Sequence, residues 1–295
     1  MKAPSAGRRG CTDVAVAPKV TGPPRYVLHP ERPNTEPLLR LAWGVGPEVL
    51  RRVIGVLRRS GLGRAVLEGL AVGDVWLGDL ADDDASYGFF LSGNRVVRTR
   101  TRDFWQTVRS VVHEGRHAVQ SAMGLTTILE FHEPGTQLPW DARGYLLLNR
   151  ALEADADAWA IAASHELDEA GAPEAWSSLI AHPEFGGLAR AYEAARPDGR
   201  APAMRAAYDA WFELGRDYGY DTYLLGWLER LREKTEAAGH AGPVPAASTL
   251  DDAVLQRLGY LPGGGSYLAG RVLDEGRYAS MAPDVEARLA ELVAP

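Results

Sequence analysis

The sequence predicts an α+β fold, predominantly helical. A small antiparallel sheet should pack on a helix carrying His-Glu-x-x-His, with a helical C-terminal part flanking the cleft. Three observations predict it. From Asp74 to Arg100 the chain holds short, β-rich runs split by turn residues. From about Phe104 to Met123 it is apolar round most of a helical wheel and polar on one strip. Beyond that, helical patterns alternate with breaks rich in Gly and Pro.

In chain order, residues 1–37 contain seven of the 19 prolines and no apolar period, which predicts an extended leader. From about Leu38 the spacing turns helical, through Leu41, Val45, Val49, Leu50, Val53, Ile54 and Leu57, with Pro47 in the first turn of a second helix. A short helix is expected over Arg64 to Leu70. Val75-Trp76-Leu77, Tyr87 to Leu91 and Arg95 to Arg100 read as strands, the last two joined by a turn at Ser92-Gly93-Asn94. Arg98, Arg100 and Arg102 would share a solvated strand face. Gly124 should stop the long helix, and a loop with Pro134, Gly135 and Pro139 leads to another helix from about Arg143 to Leu167. Later breaks are expected at Gly171–Pro173, His182–Pro183, Arg196–Gly199, Gly239–Pro245 and Pro262–Gly265. This divides the chain into a leader (1–37), a core (38–170) and a helical C-terminal subdomain (171–295).

Composition excludes several classes. With 46% hydrophobic residues, 8 Trp and 11 Tyr, the 295 residues can bury a core. The excess of 39 acids over 32 bases, a formal charge of −7, argues against a general nucleic-acid binder. Three lysines against 29 arginines resembles the bias of a GC-rich bacterial genome and carries no chemistry. Cys11 stands alone, so neither an internal disulfide nor a cysteine-held metal site is available. No apolar run reaches the roughly 18 residues of a membrane helix, and the N-terminus lacks a signal-peptide stretch. A cytoplasmic protein with no membrane partner is expected, and export by a signal-independent route is compatible with this.

The chemistry is concentrated in Val111-Val112-His113-Glu114-Gly115-Arg116-His117. With His113 at zero on the wheel, His117 falls at about 40° and Gln120 at about −20°. Two imidazoles one turn apart can point at one ion, and Glu114, about 100° round, can reach a neighbouring water without ligating. A tetrahedral zinc site needs a third ligand. The extended Gly-x-x-His continuation is absent, because Gln120 occupies the glycine position. Ala151 to Trp159 instead supplies Glu153 and Asp157, four apart on one helix face. Glu153 is the candidate ligand, and Asp157 would accept the outward N–H of a ligating histidine. His132 and Asp141 are rival third ligands. His165 should face solvent, and His29, His182 and His240 get no role.

His113, Glu114 and His117, followed by Glu153 and Asp157, resemble the gluzincin group of zinc metallopeptidases, with His-Glu-x-x-His on one helix and Glu-x-x-x-Asp on a second. The run Val111 to Gln120 is also similar to compact bacterial metallopeptidase domains, some from toxin or phage settings. The resemblance covers about Val75 to Leu167, a third of the chain. It implies a zincin-like core over 38–170 and one zinc ion on His113, His117 and Glu153. It further implies Glu114 as general base, a peptide or protein substrate, and an edge strand that pairs with the substrate backbone. A Tyr, His or Arg should stabilise the tetrahedral intermediate; Arg143, Tyr145, Tyr218, Tyr220 and Tyr223 are the unranked candidates. The alternatives are a catalytically silent zinc-stabilised binding or accessory module, closed by His132 or Asp157, and a secreted toxin-type effector with the same chemistry. Glu114 counts against the first, since a closed structural site has no use for it.

Overall fold

A computed structural model describes residues 40–41, 47–79, 88–91, 95–100, 103–125, 127, 140–239, 250, 252–271 and 276–293. The expected leader, the turn at 92–94, His29, His132 and His240 lie outside them. The described order is β1 (Arg40–Leu41), α1 (Pro47–Leu57), α2 (Gly61–Val72), β2 (Trp76–Asp79), β3 (Gly88–Leu91), β4 (Val96–Thr99), α3 (Phe104–Ala122) and α4 (Ala142–Glu169). Then come α5 (Pro173–Ala181), α6 (Gly186–Ala195), α7 (Arg200–Glu213), α8 (Asp217–Ala237), α9 (Ala253–Leu258), α10 (Gly276–Ala279) and α11 (Pro283–Val293). The fold is α+β and predominantly helical, as the sequence implies.

The sheet has the order β1-β2-β4-β3 and is mixed. Only β3 and β4 are antiparallel, with Phe90 opposite Val97; β1–β2 and β2–β4 run parallel. This corrects the expected antiparallel sheet. Periodicity reports which face a strand buries and not its direction. Here α1 and α2 form the crossover that parallel pairing requires, and β3 lies outside β4, so that β4 returns alongside β2. Arg40 and Leu41, read as helical, pair with Trp76 and Leu77 instead. A short apolar run is ambiguous until a partner strand is present. Val97 and Thr99 face inward while Arg98 is exposed, as alternation requires.

Helix α3 starts where the Asp103 carboxylate accepts from the Gln106 N–H at 2.8 Å. It stops at Gly124, whose φ of +76° is the left-handed conformation that ends helices. Asp141 caps α4 in the same way, accepting from the Gly144 N–H at 2.6 Å. Helix α4 is the spine of the molecule. From Gly144 to His165 every residue is buried except Asn149 and Glu153, and Asn149 accepts a hydrogen bond from the Thr127 hydroxyl at 2.7 Å. Its buried alanines (Ala151, Ala154, Ala156, Ala158, Ala160, Ala162 and Ala163) let α3, α5 and α7 approach closely. The main apolar cluster runs from Leu50 to Tyr278. A second joins Tyr145 and Leu146 to Leu224, Leu225 and Leu228 of α8 and Val285 and Leu289 of α11.

Candidate metal centre

Helices α3 and α4 run in opposite directions, since Gln120 meets Leu152 while His113 meets Asp157. The two unspecified positions of the motif hold α3 in place. A Cβ on Gly115 would sit 2.5 Å from Val66 Cγ1, so α2 approaches α3 closely only because residue 115 is glycine. Arg116 is 1% exposed, donates to Asp155 Oδ2 at 2.6 Å and to the Leu258 carbonyl at 2.6 Å, and stacks over Trp159.

With the helices so fixed, one nitrogen of each motif histidine is held from behind. His113 Nδ1 lies 2.8 Å from Asp157 Oδ1, and His117 Nδ1 lies 2.7 Å from Gln120 Oε1. Both acceptors take a proton from Nδ1, so in a neutral ring Nε2 is the nitrogen left with the lone pair, and it faces forward. The two Nε2 atoms are 3.1 Å apart, and the Glu153 oxygens lie 3.4 Å from one and 3.5 Å from the other. Donors bound to one tetrahedral zinc at about 2.0–2.1 Å would be separated by about 3.3 Å. The set fits one small cation in spacing and in chemistry. His113, His117 and Glu153 also form the metal-capable group among the described residues.

The electrostatics agree with a cation-seeking site. Burial works against a charged imidazole, yet the Asp157 and Glu153 carboxylates outweigh it and raise His113 well above its ordinary value; Glu153 does the same for His117. Glu153 in turn is held far below the usual carboxylate range, the two histidines overcoming its burial. Glu114, 8% exposed, goes the other way: burial pushes its carboxyl up, against the pull of both histidines. The sheet touches it directly, for a Cβ on Gly88 of the edge strand β3 would lie 3.0 Å from Glu114 Cγ. Asp157 makes its contact behind His113 rather than in front, and its Oδ2 lies 3.4 Å from Arg216.

Helix α8 brings the far half of the chain to this place. Arg216, at its start, also donates to the Glu184 carbonyl at 2.8 Å and stacks on Phe185. Tyr220, one turn on, has its phenol held well above its ordinary range, first by the Glu153 carboxylate and then by burial. The other candidates are elsewhere. Arg143 pairs with Glu286, Tyr145 packs edge-on to Trp140, Tyr218 donates to Asp284 and Tyr223 is exposed. Asp141 is the α4 cap and lies outside the metal-capable group. His165, expected at the surface, is 8% exposed and packed between Trp176 and Tyr192, because α5 and α6 cover that face of α4.

Sequence reasoning missed Arg216, Asp155 and the part played by Gln120. The break between α7 and α8 rests on Gly215 alone, at φ +66° with no proline beside it, so the spacing of Arg216 and Tyr220 could not be placed. Gln120 did carry a signal, since it shares the wheel strip with both histidines.

No curated protein and no solved structure matches the chain. A family model does, over residues 79–269, a span holding His113, Glu114, His117, Glu153, Asp157, Arg216 and Tyr220. That span is well over half of the 295 residues, and the chain belongs to the family described as "Putative metallopeptidase family (DUF6782)".

Proposed function

We propose that this chain is a zinc-dependent metalloendopeptidase of gluzincin type, hydrolysing peptide bonds in peptides or proteins. The observation that carries the reading is the convergence of His113 Nε2, His117 Nε2 and Glu153 at 3.1–3.5 Å, with Glu114 buried beside them. His113, His117 and Glu153 would hold one zinc ion, which when bound supplies a Lewis acid that polarises the scissile carbonyl and lowers the pKa of water. Glu114 takes a proton from the attacking water and passes it to the leaving amine; a carboxyl raised by burial suits both duties. Asp157 fixes His113 and is itself anchored by Arg216. Tyr220, on α8 one turn beyond Arg216 and with its phenol raised by the Glu153 carboxylate, is the donor we assign to the developing oxyanion. In this reading 38–170 is the catalytic core, and 171–295 a subdomain that lends it Arg216 and Tyr220.

The test is Glu114→Gln. It should keep zinc at the wild-type ratio per chain while peptide hydrolysis falls by about 10²–10⁴-fold. Full activity in that variant, or His113→Ala and His117→Ala variants that keep their zinc, would remove the assignment.

A further inference from the structure

Asp155 is fully buried two residues beyond Glu153, touches none of the three converging donor groups, and nonetheless collects three hydrogen bonds. Its Oδ2 accepts from Arg116 Nε at 2.6 Å and from Gln120 Nε2 at 2.8 Å, and its Oδ1 accepts from the Tyr267 hydroxyl at 2.6 Å. Gln120 Nε2 also donates to the Leu152 carbonyl at 2.9 Å. A side-chain amide has one accepting and one donating end, and its neighbours decide which way it faces. Asp155 and the Leu152 carbonyl are pure acceptors, so the nitrogen of Gln120 must face them. Its oxygen is left facing His117 Nδ1 at 2.7 Å.

We propose that Asp155, acting through Gln120, is a positioning residue that sets the tautomer of His117. With the Gln120 oxygen facing it, the neutral ring of His117 carries its proton on Nδ1 and keeps Nε2 bare, 3.1 Å from His113 Nε2. A reversed amide would present its N–H to Nδ1, move the ring proton to Nε2 and block the nitrogen that faces Glu153. The network continues outward through Arg116 to the Leu258 carbonyl and through Tyr267 to the segment after α9. A part of the chain about 140 residues away in sequence thus specifies a single proton position. The value of that proton position rests on His117 as a metal ligand, while the proton position itself does not.

The experiment therefore has two readouts on the full chain. In metal-free protein with ¹⁵N-labelled histidine, at a pH raised until the same spectra show both rings neutral, long-range ¹H–¹⁵N spectra report which nitrogen of His117 is protonated. In zinc-loaded protein, chelator competition reports affinity. Wild type should show His117 protonated at Nδ1. Gln120→Met, equal in length but without an acceptor, should show mixed tautomers and zinc binding weaker by about 10–100-fold. Asp155→Leu combined with Arg116→Met, which leaves no orphaned buried charge, should do the same without altering any residue that touches His117. Asp155→Asn should rescue both readouts, because its carbonyl can serve Arg116 and Gln120 while its amide turns to Tyr267. Wild-type protein protonated at Nε2, or a folded Gln120→Met variant with unchanged tautomer, overturns the proposal. Wild type that binds no zinc overturns the metal reading, and the tautomer spectra then still decide this one.

Discussion

At the scale of single residues, the spacing of the site side chains was legible and their support was not. His113, His117 and Glu153 could be named because one helical turn fixes which side chains share a face, and they do lie together. Gln120 and Asp155 contribute through bonds between α3 and α4, which no local pattern encodes. Gly88 shows how close the support comes. Its missing Cβ leaves the 3.0 Å that Glu114 occupies and the 3.0 Å approach to the Arg98 carbonyl across the hairpin. Gly88→Val is expected to displace the Glu114 carboxylate and lower kcat by at least about tenfold, a shift on the order of 1.4 kcal/mol in the barrier. Metal content should stay at the wild-type level. Loss of metal together with activity would show that β3 supports the histidines rather than Glu114.

At the scale of elements, α3 and α4 were legible because each combines a helical apolar period with a clear stop, whereas their caps emerged only in the structure, Asp141 having been read as a rival ligand. The caps are Asp103 and Asp141, and the stops are Gly124 and Gly171. Arg40–Leu41 and the strand directions were not, since pairing and crossover decide both. The start of α8 was hidden for a different reason: Gly215 has no proline beside it, and the weak helix formers from Asp217 to Tyr223, with Gly219 among them, do not mark where the helix begins. The α2–α3 contact gives an element-scale prediction. Gly115→Ala places a methyl 2.5 Å from Val66 Cγ1, while a Cβ on Gly69 would meet Val119 at 2.5 Å, so the helices have little room to part. It should destabilise the fold by roughly 1–3 kcal/mol in urea denaturation, although alanine is the better helix former. Gly115→Ala combined with Val66→Ala should recover part of that loss. No recovery would mean that the strain lies elsewhere.

At the scale of the whole molecule, the C-terminal helices are fastened to α4 by a buried charge. Arg150 is fully buried, pairs with Asp221 of α8 and donates to the Tyr278 and Ser280 carbonyls at 2.9 and 2.8 Å. Arg150→Met should cost roughly 3–5 kcal/mol, because it strands the Asp221 carboxylate inside the protein. Arg150→Met with Asp221→Leu should cost clearly less, since an apolar pair of similar size removes the stranded charge. Denaturant midpoints of the three proteins decide it, and equal losses in single and double variants would refute the account. The near-complete burial of α4 has a kinetic consequence as well. Among the described residues, the stretch of this helix around Glu153 is closed on every position except Asn149 and Glu153, so an ion bound at Glu153 would exchange through a restricted opening. Two chelators of equal affinity and unequal bulk should then strip it at different rates, the smaller one faster. Equal rates would mean that the helices themselves come apart on the timescale of exchange.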